Sequence, residues 1–204
     1  MNRKINKIAV IGSGVMGSGI ACHFANIGIE VLLLDIAPNK LNDNENKLGL
    51  SLDDKKVKNR IVNEMFQRCI KSKPAPLYHK TFSKRVELGN LTDDLSKISD
   101  VDWIIEVVTE KLNIKQIVFD QIEKFRSPGT LVTSNTSGIP IKQMNEGRSE
   151  DFRKNFAVTH FFNPPRYLKL FEIIPGPDCD PKIIDFLNDF GERFLGKDFV
   201  LAKD

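Results

Sequence analysis

Cysteine is scarce in this chain: Cys22, Cys69 and Cys179 are the only three in 204 residues, widely spaced and without a CxxC pair. That excludes a disulfide framework and a structural zinc site of the usual spacing, and it fits a reduced, cytoplasmic setting. Long apolar runs are missing too. None approaches the roughly 20 residues that a membrane-spanning helix needs, so no membrane span is expected. The basic-then-apolar start, MNRKINKIAV, is cut short by Gly12, Ser13 and Gly14, which marks it as a first strand rather than a signal peptide. Charge of one sign is not in large excess. A formal net charge of +3 implies no nucleic-acid partner. What is left, 41% hydrophobic and 28% charged, is the composition of a globular domain with its own core.

Residues 7–35, KIAVIGSGVMGSGIACHFANIGIEVLLLD, read as strand, glycine turn, helix and strand. Gly12 permits a tight turn, Gly14 lets the backbone approach a pyrophosphate, and Gly17 lets the helix press on the strand. The amino end of the helix then offers free N–H groups and a positive dipole end to an anion, with no basic side chain required. Gly17, Ala21 and Ala25 give that helix a flat packing face, and Asn26-Ile27-Gly28 is its stop signal. Asp35 ends the second strand at the distance where an acid binds the adenosine ribose hydroxyls. A carboxylate there repels a 2′-phosphate, and Ile36-Ala37-Pro38 supplies no arginine, so NAD is favoured over NADP. A methyltransferase also holds an adenosyl ligand over a glycine turn; the strand, helix, second strand and terminal acid together favour the dinucleotide.

An insertion is predicted at about 38–90. Within it, Val57, Ile61, Met65 and Cys69 recur every four residues beside Val62, Phe66 and Ile70, which predicts one amphipathic helix over 55–71. Ten Lys or Arg stand there between Lys55 and Arg85 against the single acid Glu64. Such a lobe either attracts a polyphosphorylated ligand or is an ordinary solvated face. Strands at 86–88, 101–108 and 130–134 and a helix over Leu112–Phe125 then predict a Rossmann-type, doubly wound α/β fold with a mostly parallel sheet. Ligands in such sheets lie beyond the carboxyl ends of the strands, where Asp35, Glu106 to Glu110 and Ser134 to Gly138 fall. Runs at 156–162 and 168–174 are joined by a link too short for a crossover helix, so they form an antiparallel C-terminal hairpin. A turn near Arg166 sets His160 opposite Glu172, with β-carbons about 4.5 to 5.5 Å apart. A helix over 181–195 and a strand over 199–202 close the chain.

His160 is one of three histidines. An imidazole titrates near neutrality and takes a proton from an alcohol while hydride leaves the same carbon. Glu172 would orient the ring and stabilise the imidazolium. A core histidine bonded to a strand neighbour leaves the same spacing, however. Ser137 either caps a short helix or bonds a substrate oxygen, and spacing leaves both open.

Four segments, GSGVMGSGIA, IIEVVTEKLNIK, SNTSGIP and HFFNPPRYLKLFEIIP, together resemble the NAD-binding domain of 3-hydroxyacyl-CoA dehydrogenases, most closely the long fused fatty-acid β-oxidation proteins. The resemblance runs from Lys7 to Asp204 and is weakest in the basic insertion. It implies NAD-dependent oxidation of (S)-3-hydroxyacyl-CoA to 3-oxoacyl-CoA without a metal. His160 is then the general base and Glu172 its partner, Ser137 contacts the substrate hydroxyl, and Asn163 stands at the nicotinamide and substrate end. The implied NAD contacts are Gly12, Gly14, Met16, Gly17, Asp35, Glu110, Lys115 and Ser137, and the insertion would contact coenzyme A. In the family the AKD segment leads into a helical domain that supplies another active-site asparagine and a homodimer interface, so the 204 residues read as the cofactor half. Two alternatives are a dehydrogenase for a small hydroxy acid or sugar acid and a non-catalytic NAD-sensing module.

Overall fold

A computed structural model describes residues 3–203. Its strands are β1 (Lys7–Ile11), β2 (Glu30–Asp35), β3 (Val86–Asn90), β4 (Trp103–Glu106), β5 (Leu131–Ser134), β6 (Phe156–Phe161), β7 (Leu170–Pro175) and β8 (Asp198–Leu201). They form one sheet in the order β3-β2-β1-β4-β5-β6-β7-β8. Only β6 and β7 pair antiparallel; every other neighbouring pair is parallel. This is the doubly wound sheet with a terminal hairpin that the alternation predicts.

Strand periodicity divides the core in two. Ile8, Val10, Val31, Leu33, Trp103 and Ile105 face α1 (Val15–Asn26), α4 (Arg60–Ile70) and α8 (Pro181–Arg193). Ala9, Ile11, Leu32, Leu34, Ile104 and Val132 face α5 (Leu112–Phe125), α6 (Ile141–Met144) and α7 (Glu150–Lys154). Trp103, the single tryptophan, has no exposed surface. It meets Phe24 edge to face at 5.4 Å and donates from Nε1 to the Thr133 hydroxyl at 2.9 Å. Among the described residues no helix is long and apolar enough to cross a membrane.

The insertion departs from its expected form in three ways. It ends at Arg85, because residues 86–90 form β3, the edge strand parallel to β2. The single helix expected over 55–71 is broken at Asn59 into α3 (Lys55–Lys58) and α4, after a short α2 (Asp43–Lys47) with a capping box between Asn42 and Glu45. Asn59 is buried, and its side-chain oxygen accepts from Asn90 Nδ2 at 2.6 Å, so the end of β3 holds it out of regular helical geometry. The basic lobe is also partly neutralised. Lys58 pairs with Asp93 at 3.0 Å, Arg60 pairs with Glu45, and Arg85 donates to the Ala25 carbonyl at 2.6 Å, while Lys71, Lys73, Lys80 and Lys84 remain exposed.

Candidate active site

The glycine turn meets the sheet at the carboxyl ends of β1, β2 and β4. Gly12 has φ +104°, and a Cβ there would come within 2.5 Å of the Val107 carbonyl oxygen. A Cβ on Gly17 would stand 1.8 Å from the Gly12 carbonyl oxygen, so the helix comes this close to the turn only because position 17 is glycine. Gly14 is different. It is exposed, and a Cβ added to it meets nothing within 4 Å. The backbone therefore faces open space at the glycine for which the sequence pattern predicts close approach of a pyrophosphate. Ser18 N–H makes the first α1 bond, to Gly14 O at 2.9 Å, and no acid stands in that first turn, so the amides that open α1 are free of intrahelical partners and suit an anion. Met16 is half-buried and packs on the core beside it.

Asp35 ends β2 beside this turn. One carboxylate oxygen accepts from Ser13 N at 2.6 Å and Ser13 Oγ at 2.5 Å, and the other from Ile36 N at 2.7 Å. Ser13 was not among the residues singled out from the sequence, although its place inside the turn next to the acid was the available signal.

Beyond β4 the structure corrects one expectation. Glu106 and Lys115 do not line the crevice: both side chains lack exposed surface and pair at 2.8 Å, with Ser134 Oγ donating to Glu106 at 2.5 Å. Lys115 sits on the inner face of α5, and it reaches the crevice only through Glu110, 3.6 Å away and 43% exposed. Glu110 accepts from Thr136 Oγ1 and from Ser137 N at 3.1 Å. Partial burial opposes its ionisation, but the Thr136 hydroxyl, Lys115 and the Ser137 and Gly138 amides prevail and hold it below the usual carboxylate range. Ser137 is exposed at the tip of this loop and does not cap α6, whose N-cap position is Pro140.

The hairpin register is the expected one. His160 pairs with Glu172 across β6 and β7, and His160 Nδ1 lies 2.7 Å from Glu172 Oε2. With Nδ1–H donating to the carboxylate, Nε2 carries the lone pair. Asn135, after β5, accepts from Phe161 N at 2.8 Å, which ties the Ser137 loop to the strand carrying His160. The sequence placed Asn135 and Thr136 in the stretch at this strand end but gave neither a role of its own. The other histidines stand elsewhere: His79 is exposed in the insertion, and burial, with Lys197 nearby, pushes His23 down to about 4.

Asn163 is exposed on the turn after β6, joined to Pro164 by a cis peptide. A cavity of about 290 Å3 opens beside it, lined by Gly14, Val15, Met65, Arg68, Cys69 and Pro165 among others. A larger hollow of about 1100 Å3 lies at the opposite ends of β1 and β2, near Ile5, Glu30 and Phe190. Size does not identify the site here, since none of the residues just described lines that hollow.

Among known proteins, the family described as 3-hydroxyacyl-CoA dehydrogenase, NAD binding domain, matches residues 7–204. A Bacillus subtilis (strain 168) protein named "Probable 3-hydroxyacyl-CoA dehydrogenase" is 52% identical over all of this chain. A Rickettsia felis protein whose name places it with fatty acid oxidation complex trifunctional enzymes is 37% identical, again over all of this chain. The chain spans 26% of the length of each of these two relatives. The crystal structure of 3-hydroxybutyryl-CoA dehydrogenase from Escherichia coli K12 superposes with a TM-score of 0.70 at 28% identity, covering 98% of this chain and 38% of that one. With the glycine cradle, the acid at the end of β2 and the terminal hairpin all in register, the chain belongs to the 3-hydroxyacyl-CoA dehydrogenase NAD-binding domain family.

Proposed function

We propose that this chain is the cofactor-binding half of an enzyme of fatty-acid β-oxidation that oxidises the 3-hydroxyl of (S)-3-hydroxyacyl-CoA to a 3-oxo group. The observation that carries this is the His160–Glu172 pair, bonded at 2.7 Å, on the hairpin tied through Asn135 to the Ser137 loop. When bound, NAD supplies the hydride acceptor. His160 Nε2 takes the hydroxyl proton, and Glu172 stabilises the imidazolium so formed. Ser137 donates to or accepts from the same hydroxyl, and Asn163 orients the substrate end. The Gly14 cradle and the α1 amides hold the pyrophosphate, and Asp35 takes the ribose hydroxyls. The cavity beside Asn163 and the exposed basic residues Arg68, Lys71 and Lys73 support a thioester chain ending in phosphates over a small hydroxy acid.

The test is steady-state kinetics of His160→Gln in the complete protein. Turnover should drop by about 10²-fold or more, with NADH affinity nearly unchanged. Wild-type turnover in that variant would remove His160 from the mechanism and favour an NAD-sensing module. Equal competition by free acetoacetate and acetoacetyl-CoA would favour a small hydroxy acid as substrate.

A further inference from the structure

Lys197, between α8 and β8, is 3% exposed. Among the described residues no carboxylate pairs with it, and burial pushes its ammonium down to about 8. An unpaired buried cation is costly, and filling the same space would need only an apolar side chain. Its Nζ instead donates to the carbonyls of Pro165 and Leu168, the second at 2.5 Å. These residues bracket the turn that begins at Asn163. Two other elements grip that turn. Pro165 lies on α1 at Gly19, where a Cβ would come within 3.0 Å of its ring, and Arg166 donates to Ala75 O at 2.6 Å and Leu77 O at 3.1 Å in the insertion.

We propose that Lys197 is a positioning residue for the reaction: by holding the Pro165 and Leu168 carbonyls it sets where Asn163 stands relative to His160. This rests on the function proposed above only in taking Asn163 and His160 to face the reacting carbon. The ammonium makes charge-assisted bonds that a neutral amine makes more weakly, so the turn is held below about pH 8 and loosened above it. His23 of α1, which feels both Lys197 and Arg166, is neutral beside this clamp, Arg166 belongs to the turn itself, and Cys69, whose thiol is drawn below its ordinary value by Cys22, lines the cavity beside the turn. The transition is therefore assigned to Lys197 by its loss in the Lys197 variants.

The experiment pairs amide hydrogen exchange with kinetics in the complete protein, using (S)-3-hydroxybutyryl-CoA and NAD between about pH 6 and 9.5. A fall in kcat near pH 8 that is lost in Lys197→Met belongs to Lys197. Lys197→Met matches the stem in volume and removes the buried charge, so it should fold. Exchange of the Tyr167 and Leu168 amides, which donate to Pro164 O at 2.9 and 3.1 Å, should rise about tenfold. kcat should fall about tenfold, KM for NAD should stay within about twofold, and the alkaline limb should vanish. Lys197→Arg should recover protection and lack the limb, since a guanidinium does not titrate there. Unchanged exchange in Lys197→Met, or an alkaline limb that survives in it, overturns the proposal. Should that variant not fold, a wild-type profile flat through pH 8 to 9 overturns it equally. If exchange responds as expected while His160→Gln keeps full turnover, the clamp stands and the site assignment fails.

Discussion

Lys115 and Glu106 meet at 2.8 Å, each without exposed surface, beneath the carboxyl ends of β4 and β5. Glu106 also accepts from Val108 N at 2.7 Å and Ser134 Oγ at 2.5 Å, so one buried carboxylate joins the ends of two strands and α5. Removing one member of such a pair leaves the other charged and unpaired. Lys115→Met should therefore destabilise the fold by about 3 to 5 kcal/mol, read as the shift in a urea unfolding curve. Adding Glu106→Gln should return part of that loss. A single variant as stable as wild type would mean that water reaches the pair.

The three turn glycines should respond differently to alanine. Gly17→Ala forces a Cβ into the Gly12 carbonyl and Gly12→Ala one into Val107, so both should lower stability by about 2 kcal/mol or more. Gly14→Ala meets nothing in the protein. It should leave the melting temperature close to wild type and still weaken NADH binding by about tenfold or more, because its methyl group occupies the approach of the pyrophosphate. Fluorescence titration beside thermal melting separates the two effects. Undiminished NADH affinity in Gly14→Ala would move the phosphates off this cradle.

Asp35 is held by Ser13 and the Ile36 amide, and the ribose role proposed for it follows from its charge at the end of β2. Titration calorimetry should find NADH bound at least about tenfold tighter than NADPH, a gap of about 1.4 kcal/mol. Asp35→Asn keeps an acceptor for Ser13 and removes the charge, so it should narrow the gap without disordering the turn. Equal wild-type affinities for the two cofactors would refute the ribose role.

Much of this molecule is written locally in its sequence. The β1–α1–β2 unit is legible because each glycine answers a steric demand from residues only a few positions away. The His160–Glu172 register is legible because a short hairpin link and a side-chain period of two leave a single pairing that keeps both apolar faces inward. Helix α5 is legible to the residue from its apolar periodicity.

Other features depend on partners far along the chain. Periodicity predicts one helix over 55–71; the break at Asn59 exists because Asn90, 31 residues on, takes its side chain. Lysine and glutamate are ordinarily surface residues, so only the closing of α5 onto β4 reveals that Lys115 and Glu106 are buried against each other. Lys197 lies 32 residues from Pro165, too far along the chain for any local pattern to join them. The sequence by itself determined the order of the strands, the helices α1, α5 and α8, the glycine turn and the histidine–glutamate pair, because local sterics and strand periodicity govern them. Which charges are buried, and which turn they hold, was decided only by tertiary structure, because a desolvated charge finds its partners through space rather than along the chain.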